Sequence, residues 1–156
     1  MALNDTTYQL HTFTELSNTD LYQIMQLRSA VFVLEQNCAY LDLDDLDQQS
    51  LHLYKKADGD KNIIAYARIL LPEQCNNTHS SIGRVVVKPD HRHDRIGYAL
   101  MQAAIQICRE HFPQHTIKIA AQTYLTHFYQ QLGFVNTGHF YLEDQISHQE
   151  MVYQGT

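Results

Sequence analysis

Apolar residues recur along this chain with two periods that take turns, one of two residues and one between three and four. Residues 8–13 alternate in the manner of a strand with one buried face. Ser17, Thr19 and Asp20 are residue types that accept hydrogen bonds from the first amides of a helix. Ile24, Leu27, Val31 and Leu34 follow at helical spacing, which predicts a helix of about four turns. From 35 to 50 the period fails and acids accumulate, so this stretch reads as a loop or a broken helix. Strands follow at 51–57 and 63–71, joined by Asp58-Gly59-Asp60, a hairpin turn signal. Residues 72–80 are polar and loop-like, and 82–87 is a β-branched run of the kind found in strands buried on both faces.

The clearest helix spans 95–111. Ile96, Ala99, Leu100, Ala103, Ala104, Ile107 and Cys108 form one apolar stripe, and Pro113 stops it. A short buried strand is expected at 117–121 and a short helix at 125–132, ended by Gly133. Residues 134–141 and 150–153 read as a closing pair of strands. The order is strand, helix, three strands, helix, strand, helix, two strands. That order predicts a mixed α/β sandwich around one sheet, in a single domain over 1–156.

Composition narrows the picture. At 156 residues and 44% hydrophobic the chain can bury a real core. A net charge of -6 argues against nucleic acid as a partner. Cys38, Cys75 and Cys108 are odd in number and form no CxxC pair, so neither a disulfide framework nor a zinc site is expected, and a reducing cytoplasm fits best. No apolar run nears the roughly 18 residues of a membrane helix, and residues 1–16 lack a signal-peptide pattern.

The most informative stretch is Val85-Val86-Val87-Lys88-Pro89-Asp90-His91-Arg92-His93-Asp94-Arg95-Ile96-Gly97-Tyr98-Ala99. A buried strand runs through a short basic loop into the long helix, with glycine in the first turn. Amides at a helix start lack internal partners, and the helix dipole adds partial positive charge. Gly97 lets the backbone approach a bulky anion, and Lys88, His91, Arg92, His93 and Arg95 add charge around it. These features together hold a phosphate. His91 and His93 form an H-x-H pair without an evident third ligand, so no metal is expected. The acids Asp42, Asp44, Asp45 and Asp47 also fail the spacing of a calcium loop. A dinucleotide fold is disfavoured, because the G-x-G-x-x-G signature is absent.

Two segments together resemble the GNAT acyltransferases. Arg92-His93-Asp94-Arg95-Ile96-Gly97-Tyr98-Ala99 is similar to that family's phosphate loop, Arg/Gln-x-x-Gly-x-Gly/Ala. Phe128-Tyr129-Gln130-Gln131-Leu132-Gly133-Phe134 is similar to its second cofactor motif. Arg95 stands where the general loop has its first glycine, and the ElaA-like branch resembles this chain in having a non-glycine there. Leu27-Arg28-Ser29-Ala30-Val31-Phe32-Val33-Leu34-Glu35-Gln36-Asn37-Cys38-Ala39-Tyr40, then Asp44, Asp47, His52 and Leu53, and later Glu143-Asp144-Gln145-Ile146-Ser147-His148, are similar to that branch too. The resemblance implies the GNAT acyl-CoA N-acyltransferase fold, an α/β (α+β) architecture with a mostly antiparallel central sheet flanked by helices. It also implies acetyl-CoA as co-substrate and an amine acceptor. Many members form dimers, so a homodimer is the assembly it implies.

The expected cofactor contacts are Val85, Val86 and Val87 through an unpaired strand edge, and Arg92, His93, Asp94, Arg95, Ile96, Gly97, Tyr98 and Ala99 through the loop and helix start. Asp94, as an N-cap, would compete with phosphate, so it is expected to turn outward or to pair with Arg92 or Arg95. Tyr129 is the catalytic candidate, as a hydroxyl assisting the departing thiolate; a core tyrosine is the other reading. A backbone N–H near Val85 or Val86 would serve the oxyanion. Glu35 is a candidate base, or else the partner of Arg28 across two helical turns. His52 is either a base or a buried hydrogen-bonded histidine. Arg28, Glu35, Asp44 and Asp47 are candidate acceptor contacts, the acids forming either a mouth for a cationic amine or a solvated loop. Arg68 and Arg84, in strands, need partners, and the acids before 48 can supply them. No cysteine is placed for a covalent acyl-enzyme, so direct attack by the amine is expected. A protein of another class, binding acetyl-CoA as a sensor or partner module without transfer, is the alternative.

Overall fold

The computed structural model describes residues 8–155. Its elements are β1 (Tyr8–Thr12), α1 (Asn18–Arg28), a π-helical turn (Ser29–Glu35), β2 (Leu51–Lys56), β3 (Ile63–Leu70), β4 (His79–Val87), α2 (Ile96–His111), β5 (Thr116–Gln122), α3 (Thr126–Gln131), β6 (Phe134–Glu143) and β7 (Ile146–Tyr153). The strands form one seven-stranded sheet in the order β1-β2-β3-β4-β5-β7-β6. Among the described residues only the β4–β5 pair is parallel.

Ser17 caps α1, its hydroxyl accepting from the Asp20 amide at 3.0 Å. The helical stripe behaves as expected through Ile24, Leu27 and Val31, all buried, but Leu34 is 77% exposed. A π turn carries more residues per turn than an α-helix, so positions past Arg28 rotate out of the α register. The 57–62 hairpin closes where the turn signal put it, with the Ala57 amide donating to Asn62 O at 2.8 Å. β4 starts earlier than the β-branched run, and Val85 and Val87 are only half-buried rather than packed on both faces. The closing pair is longer than its pattern: Asp144 and Gln145, both at positive φ (48° and 66°), make a two-residue turn that joins ten- and eight-residue strands.

Two apolar clusters lie on opposite faces of the sheet. On one face α2 and α3 cover Leu53, Ala67, Ile69, Ile119, Phe134 and Met151, with Leu100, Met101 and Ala104 fully buried. Truncating Leu100 to alanine costs about 2–5 kcal/mol on that burial. On the other face α1 and its π turn cover Tyr54, Tyr66, Ile63 and Val86. The elements therefore come in the predicted order, and the sandwich is as expected.

Candidate active site

The sheet opens at its middle. β4 and β5 pair only at His79, Ser80 and Ser81, opposite Thr116, Ile117 and Lys118. Beyond Ser81 the strands part, and residues of both, from Ile82 to Val87 and Ile119, Ala120 and Gln122, line one cleft of about 1000 Å³. A bulge on β4 lies in the same stretch. Arg68 pairs with Gly83 and Tyr66 with Val86, so Arg84 and Val85 together face Ala67. Arg84 holds φ at 51°, the left-handed region that a side chain occupies only when its surroundings fix it. Val86 and Val87 still lie in register with β3. Their other margin, toward β5, is the unpaired edge that the sequence reading anticipated.

The start of α2 borders the same cleft. Arg95 is the N-cap, with φ 55° and ψ 31°, where the general loop uses glycine. A left-handed residue followed by helix turns successive amides inward as an anion-binding concavity. The Ala99 amide is the first to bond normally, to Arg95 O at 3.0 Å, and the Ile96 amide makes a long 3.4 Å contact to His93 O. The amides of Arg95, Gly97 and Tyr98 have no partner among the described residues. A Cβ on Gly97 would meet Val87 Cγ2 at 3.6 Å and Phe128 Cζ at 3.9 Å, so glycine keeps the gap between α2, β4 and α3 open. Asp94 does turn outward, 83% exposed at its side chain, but pairs with His93 Nδ1 (2.7 Å) rather than with an arginine. Arg95 stacks on Tyr98, 4.2 Å from its ring centroid. Of the expected cofactor contacts only Ala99 does not line the cleft.

Tyr129 lies on α3 between Phe128 and Phe134, edge-on to both rings. It lines the cleft, and its hydroxyl has no hydrogen-bond partner among the described residues. Burial, then the proximity of Tyr124, pushes its pKa up to about 12. At neutral pH it is a hydroxyl, able to donate.

The acids and arginines arrange differently from the expected pairs. Arg28 does not reach Glu35: its Nε donates to Asp42 Oδ2 (2.7 Å) and its Nη1 to Asp47 Oδ1 (2.6 Å), with the whole residue buried. Arg68 donates twice to Asp44 (2.7 Å each) and once to Asp47 (3.0 Å). Arg84 contacts Asp42 at 2.7 Å and Asp44 at 3.3 Å. Three aspartates thus meet three arginines, and the mouth these acids were expected to form is neutralised. Arg28 and Asp47 are buried beneath the surface and do not face the cleft, which corrects their assignment as acceptor contacts. Asp44 spends both oxygens on arginine. Burial works to raise its pKa, but the hydrogen bonds and charge of Arg68 outweigh it and hold the pKa at about 2.

His52 is fully buried, with Nδ1 2.8 Å from the Tyr66 hydroxyl and Nε2 2.9 Å from Asp47 O. Burial lowers its pKa. The reading as a buried hydrogen-bonded histidine fits this geometry, and the reading as a base does not, because both nitrogens are engaged. Glu35 lies at the cleft mouth, bound by Arg92 through two bonds of 2.6 and 2.9 Å. The Arg92 hydrogen bond holds its carboxyl below the usual range, which makes it a poor base. Arg92 also donates to Val87 O at 3.0 Å, so its charge is partly spent within the protein. Among the described residues no group of three or more His, Cys, Asp or Glu is placed to hold a metal, and no helix is long and apolar enough to cross a membrane.

A family profile described as an acetyltransferase (GNAT) domain matches residues 9–154. The chain belongs to the GNAT acetyltransferase family. It is 40% identical to the protein ElaA of Escherichia coli K12 over 139 residues, 86% of this chain and 88% of ElaA. The crystal structure of ElaA superimposes with a TM-score of 0.85 at 36% identity, covering 94% of this chain and 99% of that one. An acyl-CoA N-acyltransferase from Pseudomonas aeruginosa gives 0.87 at 34% identity, covering 94% and 98%. The fold is thus the GNAT acyl-CoA N-acyltransferase fold, and the family's chemistry is acyl transfer. Sequence reasoning alone misses Tyr40, Gln122 and His148 as GNAT cleft residues. Period-two alternation along β5 and β7 puts Gln122 and His148 on one face, but only the strand order brings that face to the cleft.

Proposed function

We propose that this protein is an N-acetyltransferase that moves an acetyl group from acetyl-CoA directly to a primary amine. One observation carries the reading: a single cleft combines an unpaired β4 edge, a helix start with unpartnered amides and a buried tyrosine with an unpartnered hydroxyl. Acetyl-CoA supplies the activated acyl group. The amides of Arg95, Gly97 and Tyr98 receive the pyrophosphate, helped by the α2 dipole. The free edge at Val85, Val86 and Val87 pairs with the amides of the pantetheine arm as a neighbouring strand would. A Val85 or Val86 N–H, re-aimed by the bulge, donates to the oxyanion.

Tyr129 serves the departing sulfur. A free thiol has a pKa of roughly 8.5, and the Tyr129 hydroxyl lies at about 12. Full transfer of its proton would be uphill by on the order of 5 kcal/mol. Tyr129 therefore acts by donating a hydrogen bond to the thiolate while keeping its proton.

The acceptor enters from the α1 face. With Asp44 and Asp47 neutralised, the carboxylates left to attract a cationic amine are Glu143 and Asp144, at the β6–β7 turn, both lining the cleft. Free thiols at Cys38, Cys75 and Cys108 support a cytoplasmic setting. Calorimetric titration with acetyl-CoA, followed by a thiol-release assay over lysine, glycinamide, glutamate and a short peptide, tests the reading. Folded protein that binds no CoA at millimolar concentration would overturn it.

A further inference from the structure

We infer that His148 is the general base that takes the proton from the acceptor amine; the inference rests on the transferase reading above. His148 sits on β7 opposite Gln122 of β5 and Tyr141 of β6. Gln149 and Met151, each an odd number of positions away, share one face of β7, and Met151 packs in the core under α2. His148 therefore points to the other face, the one covered by α1, where Gln122 donates to Gln36 at 3.3 Å. It is 9% exposed and lines the cleft.

The ring is oriented for this task. Nδ1 lies 2.8 Å from Ile146 O. A carbonyl only accepts, so Nδ1 carries the hydrogen of the neutral ring and Nε2 keeps its lone pair. Nε2 has no hydrogen-bond partner among the described residues. Tyr141 stacks on the ring at 5.8 Å and 16°, which fixes its plane. Glu143 Oε2 stands 3.9 Å from Nε2, too far to occupy it. The other titratable groups around the ring are Tyr141 on β6, Asp144 on the turn and Cys38, which donates to Asp144 O at 3.6 Å. A tautomer set by a backbone carbonyl and a carboxylate beside the opposite nitrogen are what a positioned base needs. The rival bases lack this freedom: Glu35 is bound by Arg92, His52 is engaged at both nitrogens, and the 42–47 acids that reach the network are bound by arginine.

In the step, the amine nitrogen bonds to the thioester carbonyl carbon and the C–S bond breaks, its electron pair leaving on sulfur. One amine proton passes to His148 Nε2 and then to solvent. The sulfur leaves as thiolate, hydrogen-bonded by Tyr129, and takes a proton from solvent on release.

The test compares wild type with His148→Gln in the thiol-release assay across pH 5–9, using an acceptor whose free amine pKa is known. The expected result is a fall in kcat/KM of about 10²-fold at neutral pH, within the range of general base catalysis. The acidic limb of the wild-type profile disappears, the limb of the free amine remains, and CoA affinity changes less than about twofold. Because a glutamine there could disturb the strand, His148→Ala is assayed with added imidazole, which restores part of the rate only if the lost group moved a proton. Wild type that releases thiol, with His148→Gln equally active or keeping that acidic limb, overturns this inference alone. The absence of imidazole rescue overturns it too. Wild type that releases no thiol with any acceptor overturns the transferase reading and this inference with it.

Discussion

Asp47→Asn probes the buried ion network most directly. Asp47 Oδ1 accepts from Arg28 at 2.6 Å and from Arg68 at 3.0 Å, and Oδ2 lies 3.4 Å from Arg28 Nη2. Both arginines are almost wholly buried. Asparagine keeps one acceptor oxygen but turns an NH₂ toward a guanidinium that only donates. Breaking a buried pair from one side costs about 3–5 kcal/mol, because the remaining charge is left uncompensated. Asp42 still holds Arg28 and Asp44 still holds Arg68, so the lower end, about 3 kcal/mol, is expected. For a domain of this size each kcal/mol moves Tm by roughly 2–4 °C, which gives a drop of about 6–12 °C. Calorimetric melting, with urea unfolding at unchanged m, reads it out. The pH dependence has a fixed sign. Burial works to raise the Asp47 pKa, but Arg28 and then Arg68 pull it below the usual carboxylate value. Asp44 is lowered to about 2. A carboxylate lowered on folding stabilises above its unfolded pKa, roughly 4. That stability is lost as pH falls from about 4 toward about 2, and Asp47→Asn should flatten this acid dependence. An unchanged Tm together with a raised acceptor KM would refute the reasoning and return Asp47 to the binding site.

Tyr129→Phe should leave CoA affinity intact in calorimetry and lower kcat at least roughly tenfold, as expected for losing an assisting hydroxyl; equal turnover would remove the hydroxyl from the chemistry. Gly97→Val places two methyl groups where Val87 and Phe128 already stand 3.6 and 3.9 Å from a Cβ, so the Kd for CoA should rise about tenfold or more while the melting curve moves little. Gly133→Ala meets both a φ of 95° and Gly155 O at 2.7 Å; it should cost at least about 2 kcal/mol and lower Tm without altering the ratio of the acetyl-CoA and acceptor KM values.

The parts of the fold that repeat a pattern over many residues were legible in the sequence. The α2 stripe runs along sixteen residues of one period, and its Leu100, Ala103, Ala104, Ile107 and Cys108 are buried. The unit from β4 into α2 was legible for a chemical reason: strand, basic turn, glycine and helix are contiguous, so no tertiary information is needed to assemble them. Leu34 was misplaced because a π turn has no compositional mark, and a shift in helical phase inverts the fate of the next apolar side chain. The need of Arg68 and Arg84 for partners was legible from their position inside a sheet. Which acids would be buried with them was not, because Asp42, Asp44, Asp45 and Asp47 are chemically alike and the path of an aperiodic loop decides among them. His148 was illegible as a cleft group because β7 lies between β5 and β6, an order set by long-range pairing.

With three residue pairs between β4 and β5, the seven strands amount mechanically to two panels, β1 to β4 and β5-β7-β6, hinged at one end and braced by α2. The inner margins of the panels are where amide protons should trade with deuterium fastest among the strands. Val85 and Val87 should exchange well ahead of Tyr54 or Tyr66, which lie deep within one panel. A ligand that lies along the seam as a strand would close it. Exchange at those amides would then slow by a factor approaching 1 + [L]/Kd, the same ratio that governs ligand stabilisation of the whole fold. Occupancy can thus be read, residue by residue, from the stiffness of the seam, without any acceptor and without turnover.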